Sequence, residues 1–178
     1  AYQDYDLAPR GYGLLTLHRP SNVDRPPVLK GILEGLKAVQ EQIPIVFPAH
    51  PRTMKKIKAF GFEDLLAAMD ALIITEPLGY LEFLSLMSNA KLVLTDSGGI
   101  QEETTILGVP CLTLRENTER PVTVSEGTNK IIGKDPDRLI KEAFRILSGE
   151  NKGGRTPEKW DGKAAQRIVQ VLLEDWKL

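Results

Sequence analysis

The sequence predicts an α/β fold with a doubly wound, mainly parallel sheet, and three observations carry that expectation. Short apolar, β-branched runs alternate with amphipathic stretches along all 178 residues. Alternation at this spacing builds βαβ units and a parallel sheet. Polar residues and a Gly-Gly turn gather just after the strands, which is where open parallel sheets place their ligands. No internal repeat or low-complexity tract breaks the pattern, and the length is that of one domain with a real core.

The first strand is expected at Gly13 to Leu17. A helix from Pro27 to Gln42 comes next, because Val28, Leu29, Ile32, Leu33, Leu36 and Val39 recur at helical period and prolines suit a first turn. Pro44 to Phe47 is the second strand, Arg52 to Phe60 the next helix, ended by Gly61, and Glu63 to Met69 a short one. Ala71 to Thr75 is the third strand, Leu81 to Met87 a helix, and Lys91 to Thr95 the fourth strand. Ile100 to Leu107 reads as a helix stopped by Gly108, then Cys111 to Leu114 as the fifth strand and Asn129 to Ile132 as a weaker sixth. Asp135-Pro136 opens a helix through about Leu147, Ser148 to Thr156 is a polar loop, and an amphipathic helix runs from Gly162 to about Trp176.

Bulk composition narrows the function. The formal net charge is −1 without a long run of like charge, so binding to nucleic acid or to an anionic membrane surface is not expected. No apolar stretch approaches the roughly 20 residues of a membrane span. No signal-peptide pattern opens the sequence as given, and the single cysteine, Cys111, sits in an apolar strand run where it reads as a core residue. A reducing cytoplasm is the expected location.

The residues just past each strand are more specific. His18-Arg19 come after the first, His50 and Arg52 after the second, and Glu76-Pro77 after the third. Asp96-Ser97-Gly98-Gly99 come after the fourth, and Arg115 with Arg120 after the fifth. Both histidines of the chain fall at this edge. The turn Ser97-Gly98-Gly99 feeds a strand straight into a helix. Without a Cβ at 98 and 99 the backbone can approach a ligand and adopt unusual dihedrals. The free amides and the dipole at the helix start favour an anion. Ser97 can cap that helix or donate to a phosphate oxygen. Glu103, one turn further on, can accept hydrogen bonds from both hydroxyls of a ribose. No G-x-G-x-x-G follows the first strand and no G-x-x-x-x-G-K-[ST] loop is present, so neither a dinucleotide cofactor nor P-loop ATP hydrolysis is expected. His18 and His50 lack a metal-ligand cluster around them, so no metal is expected either.

The run Thr95-Asp96-Ser97-Gly98-Gly99-Ile100-Gln101-Glu102-Glu103 resembles the non-hydrolysing UDP-N-acetylglucosamine 2-epimerases. So do Gly108-Val109-Pro110, Arg115-Glu116-Asn117-Thr118-Glu119-Arg120-Pro121, Leu17-His18-Arg19 and Pro48-Ala49-His50-Pro51. Glu76 to Phe83, Glu126-Gly127-Thr128-Asn129 and Asp161 to Ala165 extend the likeness over almost the whole chain, in the family's order. The resemblance implies the second of two Rossmann-like domains that face each other across a cleft, the glycosyltransferase-B-like architecture, with the N-terminal domain lying outside this sequence. It implies that Ser97, Gly98 and Gly99 hold the diphosphate and Glu103 the ribose, and that the backbone around Phe83 meets the uracil. Arg19, Arg120 and His18 are implied near the phosphates and the sugar, with His18 the catalytic candidate here. His50 is implied at the cleft, where some bacterial members bind a second, activating nucleotide sugar.

The implied reaction interconverts UDP-N-acetylglucosamine and UDP-N-acetylmannosamine by elimination of UDP and re-addition, with no cofactor. Its main acid-base carboxylates belong to the first domain, so this chain is expected to be inactive alone. The expected partners are UDP and a UDP-N-acetylhexosamine, the protein's own N-terminal domain, and a second copy in a homodimer. One departure stands out: many members carry His-Arg-x-Glu-Asn, and here Ser21 replaces the glutamate. Three alternatives remain open at this point: a glycosyltransferase of the same architecture, a hydrolysing epimerase, and a stand-alone nucleotide-binding module.

Overall fold

A computed structural model describes residues 2–150 and 153–176. Six strands form one sheet: β1 (Gly13–Thr16), β2 (Ile45–Pro48), β3 (Leu72–Thr75), β4 (Leu92–Thr95), β5 (Cys111–Thr113) and β6 (Asn129–Ile131). Their spatial order is β3-β2-β1-β4-β5-β6 and every pairing is parallel. This is the doubly wound, Rossmann-like arrangement, and the order reverses between β1 and β4.

Each strand is short and apolar because both faces of the sheet are covered. Leu15, Ile45, Phe47, Leu92 and Leu94 point into one buried cluster, beneath α2 (Pro26–Gln40) and α8 (Pro136–Leu147), which pack together. The alternate residues Leu14, Val46 and Val93 enter a second cluster with Leu86 and Met87 of α5 (Tyr80–Asn89). Cys111 lies in the core as expected, and burial raises its thiol pKa to about 11. Among the described residues no helix is long and apolar enough to cross a membrane.

The remaining helices are α1 (Pro20–Val23), α3 (Pro51–Ala59), α4 (Glu63–Ala67), α6 (Gly98–Leu107), α7 (Pro121–Ser125) and α9 (Ala164–Asp175), after a 3-10 turn at Tyr2–Tyr5. The short α1, α7 and 3-10 turn add to the predicted elements. Both short α-helices begin at a proline whose fixed φ suits a first turn. α6 starts two residues earlier than expected. Gly98 and Gly99 are its first helical residues, and neither has a positive φ. The unusual dihedral that the sequence suggested for them does not occur. Gly108 does need its freedom: at φ 67° it closes α6 in the left-handed region.

One predicted segment includes residues outside the described ones. The polar loop Ser148 to Thr156 includes positions 151 and 152, and the last helix is followed through Trp176. None of α9 is buried. Its Ile168, Val169, Val171, Leu172 and Leu173 are 54–61% exposed and Trp176 87%. A contiguous apolar face of this kind is a surface for another structure to cover.

Candidate functional site

The β1 and β4 tips are adjacent, with Thr16 opposite Thr95 in register and their hydroxyls 2.7 Å apart. That places His18-Arg19 beside Asp96-Ser97-Gly98-Gly99, as an open parallel sheet requires at its switch point. Pro48 ends β2 next door, and His50 follows it. A cavity of about 260 Å³ opens between them, and His18, His50, Phe83, Ser97 and Ile100 line it. Four of the predicted site residues thus converge on one space. A larger cavity of about 710 Å³ lies beside the amino ends of β5 and β6, lined by Cys111, Lys130, Glu142 and Arg145. Its cations are already paired, Lys130 with Glu142 at 2.5 Å and Arg145 with Glu142 and Glu150.

Asp96 organises the tips from beneath. It is fully buried, and its carboxylate accepts from the backbone amides of His18 (3.0 Å) and Arg19 (2.8 Å), and from Asn22 Nδ2 (3.2 Å). His18 Nδ1 stands 3.1 Å from its other oxygen. A buried carboxylate costs several kcal/mol in lost hydration unless hydrogen bonds replace the water. Here three N–H groups do so, and each is thereby pinned. Asn22, at the position of the family's asparagine, also donates to Leu114 O at 2.9 Å, tying the β5 tip to the same point. Ser21 faces solvent on α1 and takes no part in this cluster.

The helix start is open. Nothing lies within 4 Å of where a Cβ on Gly99 would stand, and one on Gly98 would meet only Glu119 Oε2, at 3.8 Å. Ser97 is the N-cap of α6 yet makes no side-chain cap bond, so its hydroxyl is not spent on the helix. Its amide donates to Thr95 Oγ1 at 3.0 Å, which fixes the turn. First-turn amides of an α-helix lack intrahelical acceptors. Space, amides and a hydroxyl are together what an anion seat needs.

Glu103 is half-buried one turn along. Burial raises its pKa first and the neighbouring Glu102 charge second, while a hydrogen bond from the Tyr80 hydroxyl lowers it. Two nearby guanidiniums, Arg115 and Arg120, are held by carboxylates. Arg115 forks onto Glu119 at 2.7 and 2.9 Å, and this chiefly holds the Glu119 carboxyl down to about 2, with Arg19 adding. Arg120, at the start of α7, pairs through Nε with Glu102 at 2.8 Å. Arg19 keeps a buried Nε without a hydrogen-bond partner. Phe83 lines the cavity, while its amide is committed to Gly79 O at 2.9 Å.

Sequence reading missed the layer that positions these groups. Gln101 is fully buried, donates to Ser97 O, and accepts from Thr118 Oγ1 and from Asn129 Nδ2. Asn129 Nδ2 also reaches Thr123 Oγ1, and its Oδ1 accepts from Thr113 at 2.6 Å. Thr118 Oγ1 in turn accepts the Arg120 amide at 2.9 Å. A buried polar chain therefore runs from the anion seat to the Arg120 loop. The only sequence signal for it is a run of Gln, Asn and Thr on segments whose apolar neighbours are core.

The model of the family described as UDP-N-acetylglucosamine 2-epimerase matches residues 2–173. The curated UDP-N-acetylglucosamine 2-epimerase of Methanocaldococcus jannaschii is 48% identical over 163 residues, 90% of this chain and 44% of that protein. Its counterpart in Methanococcus maripaludis is 42% identical over 168 residues, 93% of this chain and 45% of the relative. A crystal structure of the Methanocaldococcus jannaschii UDP-GlcNAc 2-epimerase in complex with UDP-GlcNAc and UDP superposes with a TM-score of 0.82 at 48% identity, covering 92% of this chain and 45% of that one. The chain thus spans about half the length of the relatives it matches.

Proposed function

Because the chain belongs to the UDP-N-acetylglucosamine 2-epimerase family, we propose that it is the UDP-binding half of an enzyme that inverts carbon 2 of a UDP-N-acetylhexosamine. The open start of α6 is the observation that carries this reading. The diphosphate rests on the Gly98, Gly99 and Ile100 amides with Ser97 Oγ donating to it. Arg19, Arg115 and Arg120 surround it, and Arg115 and Arg120 exchange Glu119 and Glu102 for phosphate oxygens. The Glu103 carboxylate accepts from the ribose hydroxyls and displaces the Tyr80 hydroxyl. The uracil lies against the turn before α5, near Phe83.

Two steps follow from this placement. Elimination breaks the bond between carbon 1 and the diphosphate oxygen as carbon 2 loses its proton, leaving a 2-acetamidoglucal and UDP. Re-addition returns a proton to the opposite face of carbon 2 and rejoins the diphosphate to carbon 1. Negative charge grows on the diphosphate in the first step. Amides and guanidiniums fixed beforehand stabilise it without reorganising. His18, whose amide is held by Asp96, exchanges protons at this edge. The carboxylates that work at carbon 2 come from the preceding domain, and the bare apolar face of α9 supports the existence of such a covering body.

Calorimetric titration of the chain with UDP tests the binding half. Ser97→Ala is expected to weaken binding about 10-fold, the worth of one charge-assisted hydrogen bond, and Glu103→Ala by a similar factor. Affinity untouched by both substitutions rejects the site. The whole protein in deuterated water tests the reaction: deuterium appears at carbon 2 of the recovered nucleotide sugar. Free N-acetylmannosamine in place of labelled nucleotide sugar means hydrolysis, and transfer without exchange means a glycosyltransferase.

A further inference from the structure

We propose that the fold locks its two histidines in opposite tautomers, with Asp96 the positioning residue for His18 and the Arg52 amide the lock on His50. His18 Nδ1 lies 3.1 Å from Asp96 Oδ1, an oxygen on a fully buried carboxylate that its other partners hold as an acceptor. Two lone pairs repel at that distance, so Nδ1 is the nitrogen that carries a hydrogen, and in the uncharged tautomer Nε2 is left bare. His50 is built the other way. Its Nδ1 accepts the backbone N–H of Arg52 at 3.1 Å and so caps α3. A ring nitrogen that accepts carries no hydrogen, so the hydrogen of His50 sits on Nε2.

Both rings line the same 260 Å³ cavity. Two chemically identical side chains thus give it opposite functions. His18 offers a lone pair that receives a hydroxyl or acid proton; His50 offers an N–H to a carbonyl or phosphate oxygen. Each lock belongs to the fold. Asp96 stands under His18 because β1 and β4 are neighbours in register. The Arg52 amide faces His50 because α3 starts at Pro51, and Thr53 Oγ1 donates to Leu17 O at 2.6 Å, tying that start to the β1 tip. The inference deepens the nucleotide-sugar reading, on which only the identity of the groups facing the two rings rests.

The chain has only two histidines, so labelling them with nitrogen-15 gives a readable long-range nitrogen–proton spectrum. At about pH 8, without nucleotide, His18 is expected as the Nδ1–H form and His50 as the Nε2–H form. Asp96→Asn should shift His18 toward the other tautomer and leave His50 alone. Asn22→Ala removes a different partner of Asp96 and should leave His18 in place, so general loosening of the tip does not imitate the effect. Arg52→Pro deletes the capping amide at a first-turn position. The chain already opens α2 on Pro26-Pro27, so a double proline is tolerated there. That variant should release His50, while Arg52→Ala should not. Identical tautomers in the unaltered chain, or a His18 signal indifferent to Asp96→Asn, overturn the inference. So does a His18 signal equally disturbed by Asn22→Ala. Absence of UDP binding in the same sample overturns the nucleotide reading instead and leaves the tautomer result standing.

Discussion

Gly99→Ala should raise the stability of this chain and damage its ligand binding at once. Gly99 is helical, with no positive φ, and the space where its Cβ would go is empty to 4 Å. An added methyl group therefore costs no strain. It reduces the freedom of the unfolded chain and improves helix propensity, together about 0.4–1 kcal/mol. At roughly 2–4 °C per kcal/mol for a domain of this size, Tm rises by about 1–4 °C. The same methyl stands where the diphosphate must come into contact with the amides. Displacing the anion by even one atomic radius breaks one or two charge-assisted hydrogen bonds, each worth about 1.5–3 kcal/mol. That is about 10-fold to roughly 10,000-fold in Kd. Differential scanning calorimetry reads the first effect and titration calorimetry with UDP the second. Unchanged UDP affinity in a folded, stabilised variant would refute the placement of the phosphates on this helix start.

Three further outcomes are expected. Asn129→Ala removes three hydrogen bonds and strands the buried Thr113 hydroxyl. A loss of about 3 kcal/mol follows, or about 9 °C in Tm by calorimetry, and an unchanged Tm contradicts the polar chain. Glu103 holds ribose only as a carboxylate, and burial lifts its pKa above the usual range. Wild-type UDP affinity should therefore fall faster on acidification than that of Glu103→Gln, and a constant ratio between the two from about pH 7.5 to 5 tells against this. For Glu142, burial raises the pKa, but the Lys130 bond and charge, with Arg145 and Lys141, outweigh it and leave the value lowered. A lowered folded pKa gives stability that is present above the unfolded value, roughly 4.3, and lost as pH falls through the folded one. Glu142→Gln should thus depress Tm at neutral pH, with the gap closing in acid. A gap that persists to about pH 2 is inconsistent with that sign.

Much of this was legible in the residues. The six strands and most helices follow from runs such as Leu92 to Thr95 and from the periodic Leu29, Leu33, Leu36 face, because local burial dictates them. The strand order was not legible, since pairing β1 with β4 joins segments some eighty residues apart in the chain. The proline-led α1 and α7 are too short to show a period. Ser97, Gly98, Gly99, His18 and His50 could be assigned to one edge by the rule for parallel sheets, and the structure brings them to one edge. The role of Asp96 could not, because a carboxylate at a strand end reads the same whether it faces ligand or lies buried under the tips. Gln101 and Asn129 were hidden for a related reason: sequence polarity suggests solvent, whereas these two are buried and satisfied by each other.

Titrating the chain with UDP and with uridine while following its backbone amides by nitrogen–proton correlation spectra tests the central claim most directly. UDP is predicted to move the Gly98, Gly99 and Ile100 amides most strongly, and uridine to leave those three nearly still while shifting resonances near Phe83 and Glu103. Equal shifts of the glycine amides by both compounds, or UDP shifts centred away from Ser97 to Ile100, would contradict it.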